Sequence, residues 1–384
     1  MKSTKKYSYG KQSITFADIW EVIKALKSPC LTQGPKIKEF EDAICAYTGA
    51  KYTVAVSNGT AALHLCMLAL GITTGDEVIT SPNTFLASSN CILYTGGTPK
   101  FADIESETAT ISAEEIEKQI TPNTKGIIPV HFAGQSCDME KIKDIADRHN
   151  LFVVEDAAHA IASEYKGTKV GSCKYSDMTI FSFHPVKTIT TAEGGAITTN
   201  NKELYEKLLL FRSHGVTKNS ALLTQNDGLW YYQMQELGYN YRITDIQAAL
   251  GISQLKRLDK FAQKRRQIVD WYRQEFARDE KFSLLEEKEY SKACFHLCPL
   301  LIDFKKISIS KKELFSKLQK NGLNLQVHYI PVHTQPYYKN LGFKEGDFPN
   351  AEEYYKKALS LPLYVDLNYS DVKQIVKIIK ETAK

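Results

Sequence analysis

The feature that most constrains this chain is a rhythm in its first two hundred residues. Short apolar, β-branched runs occur at Thr53 to Ser57, Glu77 to Ser81, Thr98 to Ile104, Lys125 to Phe132, Leu151 to Glu155, Met178 to Phe183 and Ala196 to Thr199. Between most of them lie helical patterns: Ala61 to Leu70, Thr84 to Tyr94, Ser112 to Ile120 and Met139 to His149. Strands alternating with helices predict an α/β unit around a mostly parallel sheet, because parallel neighbours need long crossovers that cover both faces. Burial on both faces explains why Leu151-Phe152-Val153-Val154 is apolar throughout instead of alternating.

The pattern changes after about residue 244. Thr244 to Phe276 reads as one long helix or two in sequence, followed by a strand (Cys294 to Ile302), a helix (Lys311 to Gln319), a strand-like run (Leu323 to Tyr329) and helices around Ala351 to Leu359 and from Ser370. The expectation is a large unit over 1–260 and a smaller α+β unit over 261–384.

Charge and composition narrow the function. An apolar share of 43% is too high for a disordered chain, and 49 basic against 44 acidic residues, net +5, gives no electrostatic case for nucleic acid. Basic clusters at Lys264-Arg265-Arg266 and Lys311-Lys312 fall in helix-like stretches and read as solvated faces. Eight cysteines are scattered, as expected of reduced thiols in a cytoplasmic protein. Cys294-Phe295-His296-Leu297-Cys298 has no second ligand pair at zinc spacing and reads as a core strand, so no metal is expected. Met1 to Phe16 lacks the apolar stretch of a secretory signal. The longest apolar stretch, Thr53 to Ile72, is broken by Ser57-Asn58-Gly59-Thr60 and His64, so no membrane span is expected.

Ligands of open α/β sheets collect where strands leave the sheet at their carboxyl ends, and four such exits carry chemistry here. Ser57-Asn58-Gly59-Thr60 runs from a strand into a helix and reads either as a phosphate cradle of free N–H groups or as a turn with an ordinary cap. Glu155-Asp156 leaves an apolar strand, where a carboxylate either meets a cation or donor or caps the next helix. Phe181-Ser182-Phe183 leads to Lys187 and a Gly194-Gly195 pair; a lysine of lowered pKa can bond covalently to a carbonyl, although most lysines are surface residues. Phe85, after Ser81-Pro82, either stacks on a planar ligand or packs in the core. Cradle, aromatic face, carboxylate and lysine, in that order, are the parts needed to hold pyridoxal 5′-phosphate.

With these residues in place, nearly the whole chain, from about Tyr9 to Leu361-Pro362-Leu363, resembles the DegT/StrS family of pyridoxal-phosphate-dependent sugar aminotransferases. The resemblance implies a type I aminotransferase fold: a mixed, mostly parallel seven-stranded sheet with helices on both faces, plus a smaller C-terminal α+β domain. Within the family it is most similar to the branch of pseudaminic acid biosynthesis, through Leu31-Thr32-Gln33-Gly34, the run from Ser182 to Gly195, Arg212-Ser213-His214-Gly215 and Gln326 to Val332. It implies that Lys187 bonds to the cofactor aldehyde and moves the proton, and that Asp156 pairs with the pyridinium nitrogen. His159 would approach the ring hydroxyl, Phe85 would stack on the ring, and Gly59, Thr60, Ser182 and a partner subunit's Asn240 would hold the phosphate of a homodimer's shared site. The sugar nucleotide would lie against Tyr9, Pro29-Cys30-Leu31-Thr32 and Tyr329-Ile330-Pro331-Val332. Two departures stand out: many members carry Gln at the position of His159 and Gly at that of Ala192.

The resulting expectation is an aminotransferase carrying an amino group from L-glutamate, by way of pyridoxamine 5′-phosphate, to C4 of a UDP-linked 4-keto-6-deoxy-N-acetylhexosamine. The alternatives are a 4-aminotransferase of bacillosamine or perosamine type, a sugar 3-dehydratase of the same fold, which would carry His in place of Lys187, and a non-catalytic binding protein.

Overall fold

The computed structural model describes residues 5–384. Seven strands make the central sheet: β1 (Tyr52–Val56), β2 (Glu77–Thr80), β3 (Thr98–Phe101), β4 (Thr124–Ile128), β5 (Phe152–Asp156), β6 (Met178–Ser182) and β7 (Gly195–Thr199). Their order is β1-β7-β6-β5-β4-β2-β3. β7 is antiparallel to both its neighbours, and every other pairing is parallel. β1, β5 and β6 therefore run the same way, and their carboxyl ends open on one edge.

Period-two geometry sends alternate residues of each strand to opposite faces. Val54 and Val56 pack with Leu63 and Leu208 of helices Gly59–Ala69 and Lys202–Arg212 on one face. Ala55, Phe181 and Ala196 pack with Phe40, Ile44 and Ala248 of helices Pro35–Thr48 and Asp245–Leu255 on the other. Ile79, Ile127 and Val153 extend that second face under the helix Met139–His149. Along the buried stretches of these strands a polar side chain needs a partner, so the chemistry gathers at the strand exits.

A second core forms around a three-stranded antiparallel sheet, β8 (Phe282–Leu284), β9 (Pro299–Ile302) and β10 (Ala358–Ser360), with helices Lys311–Lys320 and Tyr369–Thr382. One helix, Leu258–Phe276, serves both cores. Leu258, Phe261 and Ala262 pack on the large sheet, and Ile268, Val269, Tyr272 and Phe276 belong to the second core. A third cluster joins the two, with Phe101 and Phe132 meeting Leu297, Val332, Tyr338 and Tyr354.

Several local expectations are corrected. The amino-terminal segment packs with the second core: Tyr7–Ser8 pairs in parallel with Leu323–Asn324, and the Tyr7 hydroxyl donates to Asp371. A two-residue strand has no periodicity from which that could be read. The run Cys294 to Ile302 is extended only from Pro299, because Phe295 takes a left-handed backbone (φ 48) that interrupts it and turns His296 away from the strand line. The helix expected from Thr84 begins at Ala87, and within Leu323 to Tyr329 only the first two residues form a strand, with Gln326 making an isolated antiparallel bridge to Ser360. Arg265 is not on a solvated face. It shares the helical stripe of Phe261, Ile268 and Tyr272, is 2% exposed, and donates to the carbonyls of His296 (3.2 Å) and Leu363 (3.1 Å). Lys311 is half-buried, with its ammonium over the ring of Tyr355.

Phe40 tests the packing of the second sheet face. Its ring is fully buried, 5.3 Å from that of Phe183. Phe40→Ala is expected to lower the free energy of unfolding by about 3–5 kcal/mol, read as a fall in the urea midpoint with unchanged slope.

Candidate active site

The strand exits meet in a cavity of about 750 Å³ whose walls include Gly59, Thr60, Phe85, Ser88, Asp156, His159, Ser182 and Lys187. β1 delivers the first wall. Asn58 caps the following helix by accepting from the N–H of Ala61 at 2.8 Å, which leaves the N–H groups of Gly59 and Thr60 without helical acceptors at the cavity. Those donors, at the positive end of a helix dipole, suit an anion. Space is tight on both sides of this turn. A Cβ on Gly59 would sit 3.1 Å from Cβ of Ser182, and one on Gly195 would sit 2.6 Å from the carbonyl carbon and oxygen of Asn58. The cradle thus has a hydroxyl, Ser182, opposite its amides.

β5 delivers two carboxylates in succession, and the pleat sends them to opposite faces. Glu155 is enclosed by His131 (2.7 Å) and Thr179 (2.9 Å), with Ser176 also donating to it. Burial pushes its carboxyl up, and these hydrogen bonds, led by that of His131, outweigh it and hold the group below the usual carboxylate range. Because Nδ1 of His131 accepts from the N–H of Cys137, the hydrogen-bond pattern assigns its proton to Nε2, facing Glu155. Asp156 faces the cavity, where Oδ2 accepts from Ser88 at 2.6 Å and Oδ1 from the N–H of Ala158 at 3.1 Å.

Lys187 lies in the loop between β6 and β7. Burial lowers its amine to about 8, against a smaller opposite pull from Asp156. His159 is also desolvated. Burial, with Lys187 and His328 nearby, holds its imidazole far below the ordinary range, hence neutral. Its Nε2 lies 3.2 Å from the Tyr329 hydroxyl, and its buried Nδ1 has no partner. Phe85 is 57% exposed at the mouth, free to cover a planar ligand.

These groups fit pyridoxal 5′-phosphate. Gly59, Thr60 and Ser182 suit its phosphate, Asp156 its ring nitrogen, Lys187 its aldehyde, and the unpaired Nδ1 of His159 and the ring of Phe85 the remainder. Comparison with known proteins agrees. The model of the DegT/DnrJ/EryC1/StrS aminotransferase family matches residues 12–380. The chain belongs to this family. It is 42% identical to the UDP-4-amino-4,6-dideoxy-N-acetyl-beta-L-altrosamine transaminase of Campylobacter jejuni over 98% of this chain and 96% of that one. The solved structure of Helicobacter pylori PseC, an aminotransferase involved in the biosynthesis of pseudaminic acid, superposes with a TM-score of 0.91 at 34% identity, over 99% of both chains. The pyridoxal-phosphate form of Spr1654 from Streptococcus pneumoniae gives 0.91 at 33%, over 98% of both. The fold is that of the pyridoxal-phosphate-dependent aminotransferases, and this chain is one of them.

Within one chain the structure gathers some expected residues and not others. Tyr9 and Tyr329 line the cavity. Ile330 is exposed beside it, whereas Pro331 and Val332 are buried, and Val332 has no accessible surface, being part of the joining core. Neither Pro331 nor Val332 lines the cavity, against the expectation that both meet the substrate. Pro29, Cys30, Leu31 and Thr32 lie outside the cavity, on a turn tied to the helix Asp245–Leu255 through Asp245. Asn240 is exposed and also outside its own chain's cavity.

Several cavity residues were not legible as site groups, among them Ser88, His328 and His296. Ser88 sits four residues beyond Thr84, a spacing that could have flagged it. His328 lay inside a quoted motif, and His296 was hidden in what read as a core strand; its ring centroid is 4.4 Å from that of His159. Ala192 has φ 69, the left-handed backbone region that glycine adopts at no Cβ penalty.

Two outcomes follow from this geometry. Gly195→Ala should displace the Asn58–Gly59 turn and weaken pyridoxal phosphate binding by about 1–3 kcal/mol, roughly tenfold to a hundredfold, measured by titration of the apoprotein. The rate at which the apoprotein forms its covalent bond to pyridoxal phosphate should rise with pH through about 8, as Lys187 loses its proton, and level off above it. A rate still climbing toward the pKa of a free lysine would contradict the desolvated amine.

Proposed function

We propose that this aminotransferase moves an amino group from L-glutamate to C4 of a UDP-linked 4-keto-6-deoxy-N-acetylhexosamine on the route to pseudaminic acid. The observation that carries the reaction is the pair of Lys187 and Asp156 on the walls of one cavity, the amine desolvated and the carboxylate held by two donors. The substrate reading is supported by the Campylobacter jejuni and Helicobacter pylori relatives named above.

Pyridoxal 5′-phosphate supplies an aldehyde that bonds covalently to amines and a protonated ring that takes up the electron pair left when a proton leaves the adjoining carbon. The chain's residues do the rest. Asp156 orients and charge-matches the ring nitrogen. Gly59, Thr60 and Ser182 anchor the phosphate so that the reacting carbon is held in place. Nζ of Lys187, neutral once displaced, takes the proton from Cα of the amino donor and, in the second half of the cycle, delivers one to C4 of the sugar. His159, buried, and Tyr329, partly buried, are both uncharged and exclude water around that transfer; desolvation, followed by Asp156 and Tyr9, drives the tyrosine's pKa far up. Tyr9 and Tyr329 border the space left for the sugar.

The site is completed by a second copy. Asn240 and most of the Pro29–Thr32 turn are exposed, and the segment before Asn240 leaves Leu229 100%, Trp230 73% and Leu237 74% exposed, large apolar side chains of the kind an interface covers. A homodimer would cover this surface and carry Asn240 to the partner's phosphate cradle. No helix among the described residues is long and apolar enough to cross a membrane, and all eight cysteines are free, in keeping with a cytoplasmic place of work.

Incubation with L-glutamate and a panel of UDP-, GDP- and dTDP-linked 4-keto sugars should yield a 4-amino product from the UDP-linked N-acetyl sugar, its C4 configuration read by NMR. A product only from a GDP-linked sugar would shift the assignment to the perosamine type. Lys187→Ala should abolish turnover and borohydride fixation of the cofactor. Lys187→Ala and Asn240→Ala subunits, each inactive alone, should recover part of the activity when mixed, and an inactive mixture would count against a shared site.

A further inference from the structure

The cavity contains a hydroxyl relay that the functional reading above does not use. Asp156 Oδ2 lies 2.6 Å from Oγ of Ser88, and Ser88 Oγ lies 2.7 Å from Oγ1 of Thr84. All three side chains are buried: Thr84 is 3%, Ser88 1% and Asp156 5% exposed. A serine hydroxyl has one proton. A carboxylate can only accept, so that proton goes to Asp156, the Phe85 carbonyl at 3.4 Å being too distant to compete. The oxygen of Ser88 is then left as acceptor, and Thr84 must donate to it. The direction is fixed from Thr84 to Ser88 to Asp156.

The placement follows from the chain. Thr84 and Ser88 stand four residues apart across the turn that opens the helix Ala87–Tyr94, so their hydroxyls meet on one side of it. Phe85, between them, stands at the cavity mouth. The next two residues face elsewhere: Ser89 Oγ and Asn90 Oδ1 each lie 2.6 Å from the Tyr338 hydroxyl. One turn is therefore fastened to Asp156 on one side and to the second unit on the other.

We propose that Ser88, set by Thr84, is a positioning residue that fixes the rotation of the Asp156 carboxylate and so determines how that carboxylate meets the cofactor's ring nitrogen. With Oδ2 taken by Ser88 and Oδ1 by Ala158, the carboxyl group is tethered at both oxygens and cannot turn about its own axis. Without the hydroxyl, one tether is lost in a dry site and the carboxylate is free to rotate off the ring nitrogen. This inference rests on the reading of the cavity as a pyridoxal phosphate site.

The test uses the full-length protein reconstituted with pyridoxal phosphate, reading the pH titration of the bound cofactor's visible band together with kcat and KM for amino transfer. Ser88→Ala is expected to move the titration midpoint by about one pH unit and to lower kcat by about tenfold to a hundredfold, with KM for the amino donor changed far less. Ser88→Thr, which keeps the hydroxyl, should restore both readouts. Thr84→Val should move them in the same direction by less. Ser89→Ala, on the same turn but facing Tyr338, should leave the titration in place. A Ser88→Ala titration superimposable on the parent overturns the relay, as does a Ser89→Ala shift of equal size, which would mean that helix packing alone is at work. If Ser88→Ala does not fold, Thr84→Val decides: a titration and kcat matching the parent overturn the proposal. A parent chain that takes up no pyridoxal phosphate would overturn the cofactor reading itself, a result distinguishable from an unmoved titration in a loaded protein.

Discussion

A strand buried on both faces can carry charge only where it leaves the sheet, and the architecture follows from how that rule is met at the end of β5. Glu155 and Asp156 are consecutive, so the pleat drives them to opposite faces. One is enclosed by His131, Ser176 and Thr179 inside the fold, and the other is turned into the cavity with Ser88 and the Ala158 N–H on it. Each carboxylate would be costly to bury alone. The network around Glu155 holds the strand end in position, and the position of Asp156 follows from it.

The antiparallel β7 is the second element on which the site depends. Inserted between β1 and β6, it lets both run in the same direction and brings the Asn58–Gly59 turn beside Ser182. The approach is close enough that a Cβ at Gly195 would strike the Asn58 backbone and one at Gly59 would crowd Ser182. The loop from β6 to β7 must cross the open edge, and Lys187 sits on that crossing, half enclosed and without a hydrogen-bond partner for its amine among the described residues. A lysine desolvated in this way gives up its proton more readily than one at the surface, the condition for bonding to a carbonyl.

The smaller unit closes the cavity from the other side. Tyr329 and His328 follow the short strand Leu323–Asn324, and His296 enters because Phe295 adopts a left-handed backbone. Arg265, with no carboxylate partner among the described residues, ties the helix shared by both cores to the carbonyls of His296 and Leu363. Burial lowers its guanidinium to about 10, still leaving it charged near neutral pH. The cavity floor is thus built of neutral imidazoles and backed by a fixed positive charge, a setting favourable to anionic ligand groups.

The sequence by itself determined the sheet, its two-sided burial and the four strand exits, because hydrophobic periodicity and local turn chemistry are short-range properties written in adjacent residues. Lys187, Asp156, Gly59, Thr60 and Ser182 were legible for the same reason: each lies at or just beyond the end of a recognisable strand. Tertiary structure alone decided which of the other candidates share a wall. It brought Tyr9 and Tyr329 to the cavity from opposite ends of the chain, buried Val332 in the joining core, left the Pro29–Thr32 turn and Asn240 outside, and made Ser88 a partner of Asp156. Those outcomes depend on contacts between residues tens to hundreds of positions apart, and no local pattern records them. Arg265 shows the same limit, since its letters read as a charged surface run and only the packing of a helix between two cores made it interior.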